Sequence, residues 1–169
     1  MDKLTGNPNL HHASSFTTGL KGNCLCGSIH VTIDDSELFK RRRGHICHCA
    51  NCRKVSGSYA SINLIIEENK VQIEDHDGTL REYVDKETMS GNPVGRWFCS
   101  RCGNCMLTKS FSPIKSVTPT RPGVVIVKMG IFPRIPAPEF ETFVLHRHEW
   151  QGQHENTIQF KIRLGDERV

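Results

Sequence analysis

The stretch HICHCANCRK, residues 45–54, places Cys47, Cys49 and Cys52 within six positions, with His45 and His48 among them and Arg53 and Lys54 directly after. A structural zinc site closes with four ligands, whereas a catalytic zinc keeps one position for water or substrate. Three thiols in one segment leave two readings. Either a fourth ligand arrives from elsewhere in the chain, or the last position is kept for chemistry.

The other five cysteines fall on either side of this segment, as C-x-C at 24–26 and C-x-x-C-x-x-C at 99–105. Gaps of one or two residues suit metal ligation better than a disulfide framework, whose cysteines are usually spread along the chain. The opening MDKLTGNPNLHHASSFTTG lacks the apolar run of a secretory signal. Reduced thiols and a cytoplasmic location are therefore expected. No apolar run is long enough to span a bilayer, so no membrane association is expected.

The chain has 169 residues, 37% hydrophobic and 24% charged, which suits one domain with a sizeable core. Residues 1–19 read as a flexible polar N-terminal extension and 20–169 as the domain. A net charge of +4 favours small anionic ligands but falls short of a nucleic-acid footprint. The run Lys40-Arg41-Arg42-Arg43 is either a solvated loop or an electropositive rim that draws carboxylates towards the cysteines.

Apolar residues recur mostly with period two, so the domain is expected to be mainly β. SIHVTI (28–33) aligns Ile29, Val31 and Ile33, and SYASINLII (58–66) aligns Ala60, Ile62, Leu64 and Ile66. TIQFKIRL (157–164) predicts a strand with Ile158, Phe160, Ile162 and Leu164 facing in. Further strands are expected in 71–73, 79–84, 96–98, 124–132 and 140–145, with no long helix but a short turn after Cys52.

Two complementary halves make a closed site: Cys24 and Cys26 from one turn, Cys99 and Cys102 from another, each pair followed by glycine. Cys47, Cys49, Cys52 and Cys105 are left over. Cys105 is either the fourth ligand of a second closed site or a small buried hydrophobe beside Met106 and Leu107. In the second case the zinc at Cys47, Cys49 and Cys52 is open. His45 reads as a surface histidine and His48 as pointing away from the metal. His146 and His148 share a strand face with no partner legible, Trp97 and Trp150 read as core, and no carboxylate stands out as a general base.

The ordered set CLCG, CHCANCRKVSGS, GRWFCSRCG and PEFETFVLHRHEW resembles the glutathione-dependent formaldehyde-activating (GFA) and centromere protein V family, over roughly residues 20–150. The resemblance implies a single zinc-containing β domain of the β-tent type with two zinc ions. Cys24, Cys26, Cys99 and Cys102 match the family's structural zinc, and Cys47, Cys49 and Cys52 match its second, open zinc site and so stand as the catalytic centre. The activity implied is that of a carbon–sulfur lyase acting on a glutathione–aldehyde adduct such as S-hydroxymethylglutathione, or on a related small electrophile. Arg53, Lys54 and the Arg41–Arg43 run are candidates for pairing with glutathione's carboxylates. The alternative is a non-catalytic, zinc-stabilised binding module for protein partners.

Overall fold

The computed structural model describes residues 7–110 and 123–169. Residues 1–6 of the expected extension and the stretch FSPIKSVTPTRP lie outside the described residues. Among the described residues there are eleven strands, one short α-helix and five 3-10 turns. In chain order the strands are β1 (Leu20–Asn23), β2 (Ile29–Ile33), β3 (His45–Cys47), β4 (Ser61–Glu67), β5 (Val71–Asp75), β6 (Leu80–Asp85), β7 (Val94–Cys99), β8 (Cys105–Ser110), β9 (Val124–Lys128), β10 (Phe140–Thr142) and β11 (Ile158–Gln159). The helix, α1, runs Ala50–Ser56. No helix among the described residues is long and apolar enough to cross a membrane.

Two sheets form. A three-stranded antiparallel sheet is ordered β1-β2-β5, and an eight-stranded sheet is ordered β11-β10-β3-β4-β9-β8-β7-β6. Among the described residues only β10 pairs parallel, with β3 on one side and β11 on the other. The mainly β fold expected from the period-two pattern is present. Ile29, Val31 and Ile33 are fully buried while His30 and Thr32 between them are not, as alternation requires. They belong to one cluster with Leu64, Ile66, Met106, Leu107, Val125, Val127 and Met129 of the large sheet. Burying each such aliphatic side chain stabilises the fold by about 1.5–3 kcal/mol.

Four expectations need correction. In β4, Leu64 and Ile66 enter the core but Ile62 is 40% exposed, because the core covers only the second half of that strand. Its first half instead buries the polar Ser61 and Asn63. The predicted 157–164 strand shrinks to Ile158–Gln159, with Ile158 exposed and Gln159 buried. Its partner β10 is only three residues long, so the ladder has nothing further to pair with. β10 itself stops because Phe143 takes a left-handed conformation (φ 57°), after which Val144–His146 form a 3-10 turn rather than more strand. Strand β9 likewise gives way to a 3-10 turn at Met129–Ile131.

At the N-terminal side, Pro8–Leu10 and Ala13–Phe16 are 3-10 turns. Arg134 donates to the carbonyls of Pro8 and His11, and Phe16 packs on Phe39.

Candidate metal centres

The first centre joins the small sheet to the large one. Cys24 and Cys26 flank the turn between β1 and β2; Cys99 ends β7 and Cys102 lies in the turn before β8. Gly27 and Gly103 close these turns with φ of 77° and 74°, a conformation that side chains with a Cβ resist. Each donates its N–H back across the turn, to the carbonyls of Cys24 and Cys99. The four sulfurs lie within 4.8 Å of one another, with Cys24–Cys26 at 3.5 Å and Cys26–Cys99 at 3.6 Å. A tetrahedral ion with metal–sulfur bonds of about 2.3 Å sets its sulfurs about 3.8 Å apart, so the donor set fits zinc. The Ile29 N–H donates to Cys24 Sγ (3.3 Å), and Thr79 Oγ1 lies 3.5 Å from Cys99 Sγ.

Charge favours a cation here. The Cys26 thiol is pushed up to about 12 although the Ser28 backbone N–H works the other way, because burial and the neighbouring sulfurs disfavour a further thiolate. The Cys99 thiol falls to about 6 despite its burial, through hydrogen bonds from Thr79 and the 101–102 backbone. Four crowded thiols resist ionising together unless a divalent ion compensates them.

The second group is local. Cys47 ends β3, Cys49 caps α1 and Cys52 sits in its first turn. The expected turn after Cys52 is this helix, and it begins earlier, at Ala50, because Cys49 Sγ accepts the Cys52 N–H (3.3 Å) as an N-cap. The three sulfurs lie within 4.8 Å of one another. Hydrogen bonding to Cys49 and Cys52 pushes the Cys47 thiol well up, while hydrogen bonds with Cys47 and Cys49, helped by Lys128 and Arg96, pull Cys52 well below the ordinary thiol range. Cys105 belongs to neither group; it is half-buried at the start of β8, with its sulfur 3.6 Å from the Trp97 carbonyl.

A cavity of about 530 Å³ opens on Cys47, Cys49 and Cys52. Its walls are largely apolar, with Ile65, Val94, Ile126, Phe140 and Phe143 among them. Lys128 enters it from the end of β9, only 7% exposed, with Nζ donating to Asn63 Oδ1 (2.8 Å) and Ser61 Oγ (3.1 Å). Among the described residues no carboxylate reaches ion-pair distance of this ammonium. Arg96 also lines the cavity, but Asp85 holds it through two bonds of 2.8 and 2.6 Å. Asn51 of α1 donates to the same Asp85 oxygen (2.8 Å), which ties the cysteine-bearing helix to β6 and β7.

Arg53 and Lys54 do not line this cavity. Arg53 hydrogen-bonds His148, and Lys54 is exposed on the last turn of α1. Arg42 donates to the carbonyls of Pro138 and Glu155, and Arg43 pairs with Asp35 at 2.9 Å. Two aromatic readings change. His45 is buried, stacked on Phe140 with centroids 5.0 Å apart, and lines the cavity instead of the surface. Trp150 is 72% exposed and stacks on His148, whereas Trp97 packs against the core. His146, with no partner legible in sequence, lines the cavity as well.

His48 is not grouped with the three cysteines. It is fully buried, with Nε2 2.8 Å from Glu141 Oε2, and Glu141 is the buried carboxylate that sequence reading missed. Thr157 Oγ1 (2.8 Å) and the His154 N–H (3.1 Å) donate to its other oxygen. Burial opposes its ionisation, yet these bonds bring Glu141 down to about 2. The available signal was slight: one acid between two aromatics in the short run FETF.

No curated protein matches the chain. Among solved structures, a Rhodobacter sphaeroides protein aligns at 18% identity and a TM-score of 0.46, over 66% of this chain and 86% of that one. The family described as glutathione-dependent formaldehyde-activating enzyme matches residues 19–146, a span that contains all eight cysteines, Lys128 and Glu141, and the chain therefore belongs to the GFA family.

Proposed function

We propose that the protein is a zinc-dependent carbon–sulfur lyase-like enzyme, acting on the adduct of a thiol, glutathione foremost, with a small aldehyde. One observation carries this reading: three cysteines from a single segment converge on a cavity large enough for a small substrate, and the spare cysteine is not grouped with them. When bound there, zinc supplies a position that holds a thiol in its thiolate form, the nucleophilic one. The other group, at Cys24, Cys26, Cys99 and Cys102, serves as the structural zinc.

The chain's own residues supply the rest. Three thiolates around a divalent ion leave a net negative charge, and Lys128 and Arg96 offset it. That keeps the centre tolerant of a fourth sulfur. In the synthetic direction the thiol releases its proton, its sulfur bonds to the aldehyde carbon, the carbonyl π bond breaks, and the oxygen takes up a proton in place of the one released; the lyase direction reverses this. Lys128, whose ammonium is not spent on a carboxylate, is the residue we assign to hold that oxygen. Apolar walls exclude water from the adduct. Arg53 and Lys54 stay as carboxylate partners for glutathione on their adjacency to Cys52 alone.

Calorimetric titration of the zinc-loaded protein with glutathione, against S-methylglutathione, tests the reading. Binding that requires the free thiol, weakened about tenfold or more by Lys128→Met, is the expected result. Equal binding of both ligands, or of neither, removes thiol capture and leaves the metals as scaffolding for a binding module.

A further inference from the structure

His30, Glu74 and His76 belong to neither cysteine group and lie on the outer face of the small sheet. β2 and β5 are antiparallel neighbours there, and His30 stands directly opposite Glu74. Directly opposed residues share a face, with their Cβ atoms about 5 Å apart. His76 lies two positions beyond Glu74, and its N–H donates to the Ser28 carbonyl (3.0 Å), so the pairing continues past the end of β5. One ring nitrogen from each histidine and one oxygen of Glu74 thereby come within 4.8 Å of one another.

We propose that His30, Glu74 and His76 form a third metal site, for a divalent transition ion that prefers imidazole, such as zinc, nickel or copper. The separation of His76 Nε2 from Glu74 Oε2 is 3.6 Å, too long for a good hydrogen bond. It is close to the roughly 3.4 Å between two ligands that each stand about 2.1 Å from one tetrahedral ion. The two imidazole rings meet edge to face, with centroids 5.0 Å apart, which keeps both near one point without stacking them. His30 Nε2 lies 3.0 Å from the Gly27 carbonyl, so the Nε2–H donates and Nδ1 carries the free lone pair. A metal-ligating histidine is commonly held by a backbone carbonyl in this way, which fixes both tautomer and ring orientation.

Two imidazoles with one carboxylate discriminate against calcium and magnesium, which take oxygen ligands. The neighbouring acids are engaged elsewhere: Asp75 accepts the Thr79 and Leu80 N–H groups at 2.8 and 2.9 Å, and Asp77 pairs with Arg101 at 2.7 Å. Three protein ligands leave positions for water or for a donor from a partner. Gly27 also closes the Cys24–Cys26 turn, so the new site shares that turn with the four-cysteine group.

The test loads the protein with two equivalents of zinc, enough for the two cysteine groups alone, and titrates it with Ni²⁺ and separately with Mg²⁺, following histidine ring signals by NMR. The expected result is selective broadening of His30 and His76 by Ni²⁺, none by Mg²⁺, and an affinity at least about tenfold weaker in both His76→Ala and Glu74→Gln. Both side chains are about half exposed, so neither change disturbs the core. Broadening centred on other histidines, or equal Ni²⁺ affinity in both variants, overturns the proposal. The readout resolves individual histidines, so its failure is distinct from failure of the thiol-capture reading.

Discussion

Cys49 has two roles that a single substitution separates. Its sulfur is one of the three that converge on the cavity, and it also caps α1 by accepting the Cys52 N–H. Serine is among the best N-cap residues, so Cys49→Ser keeps the cap while removing a thiolate. The expected variant is folded, with the far-ultraviolet spectrum of the parent, one zinc fewer per chain and no thiol-dependent binding. Cys99→Ser is the contrast. Cys99 is fully buried in the group that joins the two sheets, where a bound zinc would contribute on the order of 10–16 kcal/mol of apparent folding energy. That is as large as the whole net stability of a typical domain, so this variant is expected to be largely unfolded. Zinc counting and circular dichroism on the two proteins decide the matter. Similar unfolding in both would make the three-cysteine group structural.

At the scale of elements, α1 is the piece that presents Cys49 and Cys52, and its far end depends on Gly57. This residue takes φ 61° and donates back to the carbonyls of Arg53 and Lys54. A Cβ there would meet nothing within 4 Å, so only the backbone conformation resists substitution. Gly57→Ala is therefore expected to lower stability by about 1 kcal/mol without loss of zinc, as measured by urea unfolding. The cysteines are local signals, and that is why they were legible in the sequence. Strands facing the core on one side and solvent on the other, such as β2, were equally legible. β4 was not, because its two faces serve different purposes: Leu64 faces the core, while Asn63 holds Lys128 beside the cavity. Period-two reading assumes one buried face. The C-terminal strand failed for another reason, since its length is set by β10 and not by its own alternation.

At the scale of the whole molecule, what stayed hidden is what the sheet register brings together from distant segments. Lys128 meets Ser61 and Asn63 beside the cavity because β4 pairs with β9, and His48 meets Glu141 because β3 pairs with β10. No spacing rule in the sequence relates residues 48 and 141. Glu141 in turn accepts hydrogen bonds from His48, His154 and Thr157 and lies 3.6 Å from Arg147, which joins three separate stretches of chain behind the cavity. These contacts make it an acid-sensitive tie. Its folded-state pKa, about 2, lies below the ordinary glutamate value of 4.5, so its contribution to stability is complete above about pH 4.5 and is lost as pH falls towards 2. Glu141→Gln cannot ionise and should lack this component. Between about pH 4.5 and 3, stability of the parent is expected to fall more steeply than that of the variant, by up to about 1.4 kcal/mol per pH unit. Metal loss at low pH affects both proteins, so the difference between their slopes isolates the carboxylate. Parallel slopes in urea unfolding across this window would mean that Glu141 is not ionised against His48, and that the tie is built from neutral hydrogen bonds.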